Sequence, residues 1–311
     1  MSAASILDPR NALLTVLAIV ALLYLTLVVR ATMRDKQEGD RAAPTPLGLG
    51  TGFVTNFFDT LGIGSFATTT AIFRRFGMVR DEKIPGTLNV GHTLPTIVQA
   101  FIFTKLVPVD PKTLILLIVA AVLGAWVGAG VVAKWPRRRI QLGMGVALLI
   151  FAGFLIMTLA SRNPTGGTLL ELTGTKLIVG FAGNLALGAL MTLGIGLYAP
   201  CMIMIYMLGM NPTAAFPIMM GSCAFLMPVA SARFVRERGF DLRGSLGLLV
   251  GGVPAVLIAA FIVKQLDLTI VRWLVLVVVL YTAIGLIRAA RREAADALAP
   301  APSRAPGAAM P

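Results

Sequence analysis

The chain has 311 residues, 57% of them hydrophobic and 13% charged, with a mean hydropathy of +0.86. A soluble domain carries about twice that charged fraction, so the composition excludes an ordinary water-soluble protein and points to an all-α, polytopic membrane protein. The net charge of +13 does not mark a nucleic-acid binder, because most Lys and Arg stand in short clusters beside apolar runs, where topology signals stand.

Asn11–Val29 is an uncharged run of the length needed to span hydrocarbon. Asp8 and Arg10 precede it and no small-residue cleavage site ends it, so it reads as a retained helix rather than a signal peptide. A basic linker, Arg30–Pro46, follows. Thr51–Ala71, TGFVTNFFDTLGIGSFATTTA, is apolar enough to enter a bilayer, yet it holds Asn56, Asp59, a run of hydroxyls and three glycines. Polar, glycine-broken backbone is tolerated at membrane depth only where protein or a water-filled cavity receives it. Arg74, Arg75, Arg80 and Lys83 close this stretch. Ile84–Thr104, with Asn89, His92 and Pro95, reads as the next span. Thr113–Ala133 carries the small-residue series Gly124, Gly128 and Gly130, the mark of a close helix contact. After the basic Lys134–Arg139, Ile140–Ala160 is a further span.

Gly180–Ile205 repeats the character of the broken stretch. Setting Leu61–Gly64 over Leu193–Gly196 also aligns Gly77-Met78 with Gly209-Met210 and Pro85 with Pro217. The chain reads as one unit written twice: an N-terminal helix and linker (1–46), a first copy (47–161), a linker (162–176), a second copy (177–290) and a tail expected to be disordered (291–311). Gly244–Val263 and Leu268–Ile287 complete the second copy. Basic loops belong on the cytoplasmic side. That places 30–46, 72–83, 134–139, 233–243 and 288–292 inside and 162–176 outside. The expected fold is therefore two inverted repeats, each a re-entrant helical hairpin plus three transmembrane helices, preceded by one extra helix: seven spans and two hairpins. Duplicated units with interrupted helices point to a transporter's binding site.

Three features together resemble the TauE/SafE sulfite-exporter-like family: the Gly52-Phe…Leu61-Gly-Ile-Gly64 opening, its counterpart Gly180-Phe…Leu193-Gly-Ile-Gly196, and the Leu123-Gly-Ala-Trp-Val-Gly128 helix before a basic turn. The likeness covers about residues 47–290 and lies in glycine patterns. Many members have a denser glycine run, often ending in proline, where this chain has Gly62–Thr70. The resemblance implies carriage of small sulfur-containing or organic anions across the bacterial inner membrane, in a multi-pass protein.

Candidate site residues follow from the two breaks. Gly62 and Gly64 free the backbone, and Ser65, Thr68 and Thr69 offer hydroxyls. A helix starting near Gly64 would aim N–H groups and a positive dipole end at an anion, with Gly194 and Gly196 doing the same from the second copy. These residues can equally serve packing, with hydroxyls bonding back to carbonyls. Asp59 is the only acidic residue deep in the apolar sequence, and is read either as a coupling group or as a cap for the hairpin. His92, the only histidine, is either an anion-attracting, pH-responsive group or a neutral packing residue. Asn56 is expected to fix the hairpin or touch substrate.

No Walker A loop, CxxC or HExxH pattern occurs, and one histidine builds no zinc site, so neither cofactor nor metal is expected. Ser65 lacks the Gly-x-Ser-x-Gly setting of a hydrolase, so an enzyme is not expected. The expected function is a secondary, ion-coupled anion transporter working by alternating access. An anion channel and a non-transporting membrane subunit stand as alternatives. Its partners are a small anion and membrane lipid, not nucleic acid, and a homo-oligomer is left open.

Overall fold

A computed structural model describes residues 8–37, 43–131, 137–160, 167–191, 196–264 and 268–298 of the protein. The expected tail beyond Leu298, and Gly194 in the second break, lie outside the described residues. Eleven α-helices are described: α1 (Pro9–Gln37), α2 (Pro46–Thr60), α3 (Ser65–Phe76), α4 (Ile84–Leu106), α5 (Pro111–Val131), α6 (Arg137–Ala160), α7 (Gly174–Met191), α8 (Tyr198–Met207), α9 (Ala215–Arg236), α10 (Leu242–Lys264) and α11 (Leu268–Leu298). Single 3₁₀ turns, Asp81–Lys83 and Pro212–Ala214, lead into α4 and α9. Among the described residues there is no sheet, only one isolated parallel bridge between Leu169 and Met210.

The all-α reading holds, but the expected span architecture is corrected. Among the described residues four helices are long and apolar enough to cross a membrane: Pro9–Arg34, Gly174–Met191, Pro212–Arg236 and Leu242–Ile262. Seven spans and two re-entrant hairpins in inverted copies do not match that count. Gly174–Met191, expected as one arm of a re-entrant hairpin, has 18 residues, a rise of about 27 Å that approaches the hydrocarbon thickness. The expected span at Ile84–Thr104 is helical but is not among the four. Its buried side chains include Thr87, His92, Thr93, Thr96 and Gln99, so it is a polar interior helix rather than a lipid-facing one. Composition rather than burial sets it apart, since Pro212–Arg236 is 72% buried and still counts among the four. Among the described residues, α5 and α6 contribute the apolar stretches Pro111–Val127 and Gln141–Ile150.

Packing follows from where small and large residues fall. α2 lies along α10, α5 along α7, α4 along α9, and α6 along α11. In the first pair, a Cβ on Gly52 would stand 2.5 Å from the Gly247 carbonyl oxygen. In the second, Cβ atoms on Gly124 and Gly188 would collide with the carbonyls of Leu185 and Ala121. Such contacts need glycine, because only its absence of a side chain lets two backbones approach so closely. The main apolar core gathers Phe103, Leu114, Leu117, Met202, Phe216, Ile218 and Val279, with Phe103 stacked on Phe216 at 5.2 Å between ring centres. Outward faces are also apolar: Leu22, Leu23, Trp126, Ile150, Phe261 and Val277 are exposed. That inversion of the usual surface suits lipid as solvent.

Candidate functional site

Thr45 caps α2: its Oγ1 accepts the Gly48 N–H at 2.9 Å, with Pro46 at the first helical position. The helix stops where Gly62 and Gly64 take φ of +95° and +84°, a backbone region that side-chain-bearing residues rarely enter. Gly62 N–H donates back to the Asp59 carbonyl at 2.8 Å, and Gly64 becomes the N-cap of α3. α3 therefore starts one residue later, at Ser65, and ends at left-handed Gly77.

Gly64 supplies no capping side chain, and Asp59 takes that role from the preceding helix. Its Oδ1 accepts the Ser65 N–H at 2.6 Å, while Oδ2 accepts from Gln99 Nε2 at 2.9 Å. The Gln99 amide is oriented by its other bonds. Tyr198 O–H donates to Gln99 Oε1 at 2.8 Å, and Gln99 Nε2 also donates to Thr60 Oγ1 at 3.0 Å. A relay thus runs from α8 through α4 to the carboxylate and on to the first N–H of α3. Asp59 and Ser65 are each 3% exposed and Gln99 is fully buried. A carboxylate so enclosed needs these donors.

His92 closes a second chain beside the first. Asn56 Nδ2 donates to the Gly52 carbonyl at 2.7 Å, which leaves Asn56 Oδ1 as the acceptor for His92 Nδ1, 3.0 Å away. The opposite ring nitrogen, Nε2, lies 3.0 Å from Thr69 Oγ1. A neutral ring protonated on Nδ1 satisfies both bonds, with the Thr69 hydroxyl donating to Nε2. Asn56, Thr69 and His92 are all fully buried, and the Phe66 ring lies 5.9 Å from the imidazole.

One cavity lies between the two helix breaks. It is lined by Asp59, Gly64, Ser65, Phe66 and Thr96 on one side and by Met191, Gly196, Leu197, Tyr198, Cys223 and Met227 on the other. Its volume is about 30 Å³, room on the scale of a water molecule. Among the described residues no Lys or Arg lines it. The surface it exposes is mainly apolar, and its polar lining side chains are those of Ser65, Thr96, Tyr198 and Asp59. Such a set suits a small anion held by neutral donors, provided that the carboxylate does not occupy them.

Four of the residues singled out from the sequence therefore meet at this cavity: Asp59, Gly64, Ser65 and Gly196. Gly62 does not line it; a Cβ there would stand 2.5 Å from the Met202 methyl. Thr68 is turned to its own helix, donating to the Ser65 carbonyl at 2.8 Å. Asn56, Thr69 and His92 form the layer behind the cavity wall rather than the wall itself. Gly194 cannot be placed. The sequence reading missed Thr96, Gln99 and Tyr198. Two of them carried a signal: His92, Thr96 and Gln99 stand at i, i+4 and i+7, a polar stripe down one helix face.

Residues 2–155 match the family model of the sulfite exporter TauE/SafE. The matched segment contains α1 to α5, the first break, Asp59, Ser65, His92 and Gln99. The second break and Tyr198 lie beyond it. The match suggests anion transport across a membrane, and four helices able to cross one make this a multi-pass membrane protein. No curated protein and no solved structure gives a significant match. Among the described residues no group of three or more His, Cys, Asp or Glu is placed to hold a metal ion.

Proposed function

We propose that this protein is a secondary transporter of small sulfur-containing or organic anions, such as sulfite or a sulfonate, across the bacterial inner membrane. The observation that carries this reading is the cavity itself. It draws glycines and hydroxyls from two helix breaks in a chain whose residues 2–155 match the sulfite exporter TauE/SafE family, and among the described residues no basic side chain lines it. In this reading Gly64, Ser65 and Gly196 contact the anion, joined by Thr96 and Tyr198. Asn56, Thr69 and His92 hold the wall in shape, and Gly62 sets the turn. Asp59 is the coupling group. Access alternates as the two breaks move relative to each other around the cavity.

The test is counterflow in proteoliposomes. Preloading with unlabelled sulfite or a short sulfonate should drive transient accumulation of the labelled anion, because a carrier exchanges one bound anion for another. Flux that follows the gradient without counterflow would identify a channel. No flux for any small anion would sink the transport reading.

A further inference from the structure

We infer that the anion and the charged form of Asp59 exclude each other, so that one proton enters the site with each anion; this rests on the anion-binding reading above. The Asp59 carboxylate already occupies the place where a bound anion would be stabilised. Its Oδ1 holds the Ser65 N–H at 2.6 Å, the first amide of α3 and the one nearest the positive end of that helix. Asp59 and Ser65 line the same cavity. The backbone amide has one hydrogen, so a second anion seated on it must displace the carboxylate. Two negative charges a few ångströms apart in a buried site repel strongly. Taking up a proton from the cavity mouth turns the carboxylate into a neutral acid, removes the repulsion and releases Ser65 N–H to the incoming anion.

Among the described residues no other charged group lines the cavity. α3 contributes Ser65 and Phe66, α4 contributes Thr96 and Gln99, α8 contributes Tyr198, and α9 contributes Cys223 and Met227. Among the described residues that line the cavity, the titratable neighbours of Asp59 are a phenol and a thiol, neutral in the ordinary range. His92 is engaged on the far side by Asn56 and Thr69. Tyr198 and Gln99 act as positioning residues. Because Tyr198 O–H fixes Gln99 Oε1, the Gln99 amide can only donate toward Asp59. That donation favours the charged carboxylate, and so holds the site closed to anions until a proton arrives.

Full-length protein in detergent would be titrated with methanesulfonate and with sulfate, whose charges stay constant from about pH 4 to pH 8, the range in which carboxyl groups and imidazole titrate. Affinity should be flat at low pH and fall by about tenfold per pH unit once Asp59 ionises. Calorimetry in two buffers of different ionisation heat should show about one proton taken up per anion above that point. Asp59→Asn should bind with an affinity independent of pH. Gln99→Leu should shift the profile to higher pH, since removing its donor disfavours the charged carboxylate; a merely structural role would weaken binding equally at every pH. PH-independent affinity in the unaltered protein, or an unchanged slope in Asp59→Asn, overturns the inference while leaving anion binding intact. Binding of neither anion at any pH overturns the anion reading, and the inference falls with it.

Discussion

The two helix breaks face the same cavity with different chemistry. At the first, Asp59, Ser65, Thr69, Asn56 and His92 are joined in hydrogen-bonded chains. At the second, the described wall is Met191, Leu197, Cys223 and Met227, with the Tyr198 hydroxyl as its polar side chain. The Cys223 thiol meets the Met191 sulfur at 3.6 Å. The amides differ in the same sense. Asn56 uses both ends, whereas Asn184 donates to the Leu117 carbonyl and Ser222 while its own Oδ1 has no partner among the described residues. The first break therefore supplies polarity and charge control, and the second supplies shape. A site built this way can discriminate on one side and yield on the other, since thioethers repack easily.

The sharpest way to break this contrast is Gly64→Val. The position combines φ of +84° with open space on the cavity side, so a branched side chain is strained by about 1–3 kcal/mol and also projects into the void. Binding should fall beyond detection in titrations of folded protein. His92→Ala should lower stability by about 1–3 kcal/mol, because Asn56 Oδ1 and the Thr69 hydroxyl lose a buried partner. Affinity should change far less, as the ring does not line the cavity. Thermal melts and calorimetry on the same sample separate the two. Ser65→Ala should weaken anion binding by about 0.5–3 kcal/mol, the range for losing one hydrogen bond, with the upper end for a charged partner. Met227→Leu, a volume-conserving change on α9 in the wall opposite the first break, should cost under about 1.5 kcal/mol in stability and leave affinity almost unchanged. If Met227→Leu weakens binding more than Ser65→Ala, the division of labour is the reverse of that described.

Much of the first break was legible because polar residues in apolar sequence are conspicuous. Asp59, Asn56, His92 and the pair Gly64-Ser65 stand out against their neighbours, and the first three form or adjoin the relays described. Gln99 and Thr96 escaped notice although they lie on the His92 face, since an amide or hydroxyl in the middle of a long helix reads as incidental. Tyr198 had no local signal at all: its role comes from Gln99, which is 99 residues away. The span count misled for a related reason. α4 is long enough to cross a bilayer, but Asn89, His92, Gln99 and its threonines make it too polar to count among the four apolar spans.

The glycine contacts between helices carry a mechanical consequence. α2 leads into the first break and is seated against α10 by Gly52, where no methyl group fits. α7 leads into the second break and is seated against α5 through Gly124 and Gly188 in the same manner. Backbones meshed that closely resist sliding or tilting, because any shift drives a carbonyl into a Cα. Each break is thus mounted on a stiff two-helix beam, and the softer ground lies where the beams meet across the methionine-lined wall. A cross-link between α2 and α10 should leave transport running, whereas a cross-link between α3 and α8 should stall it.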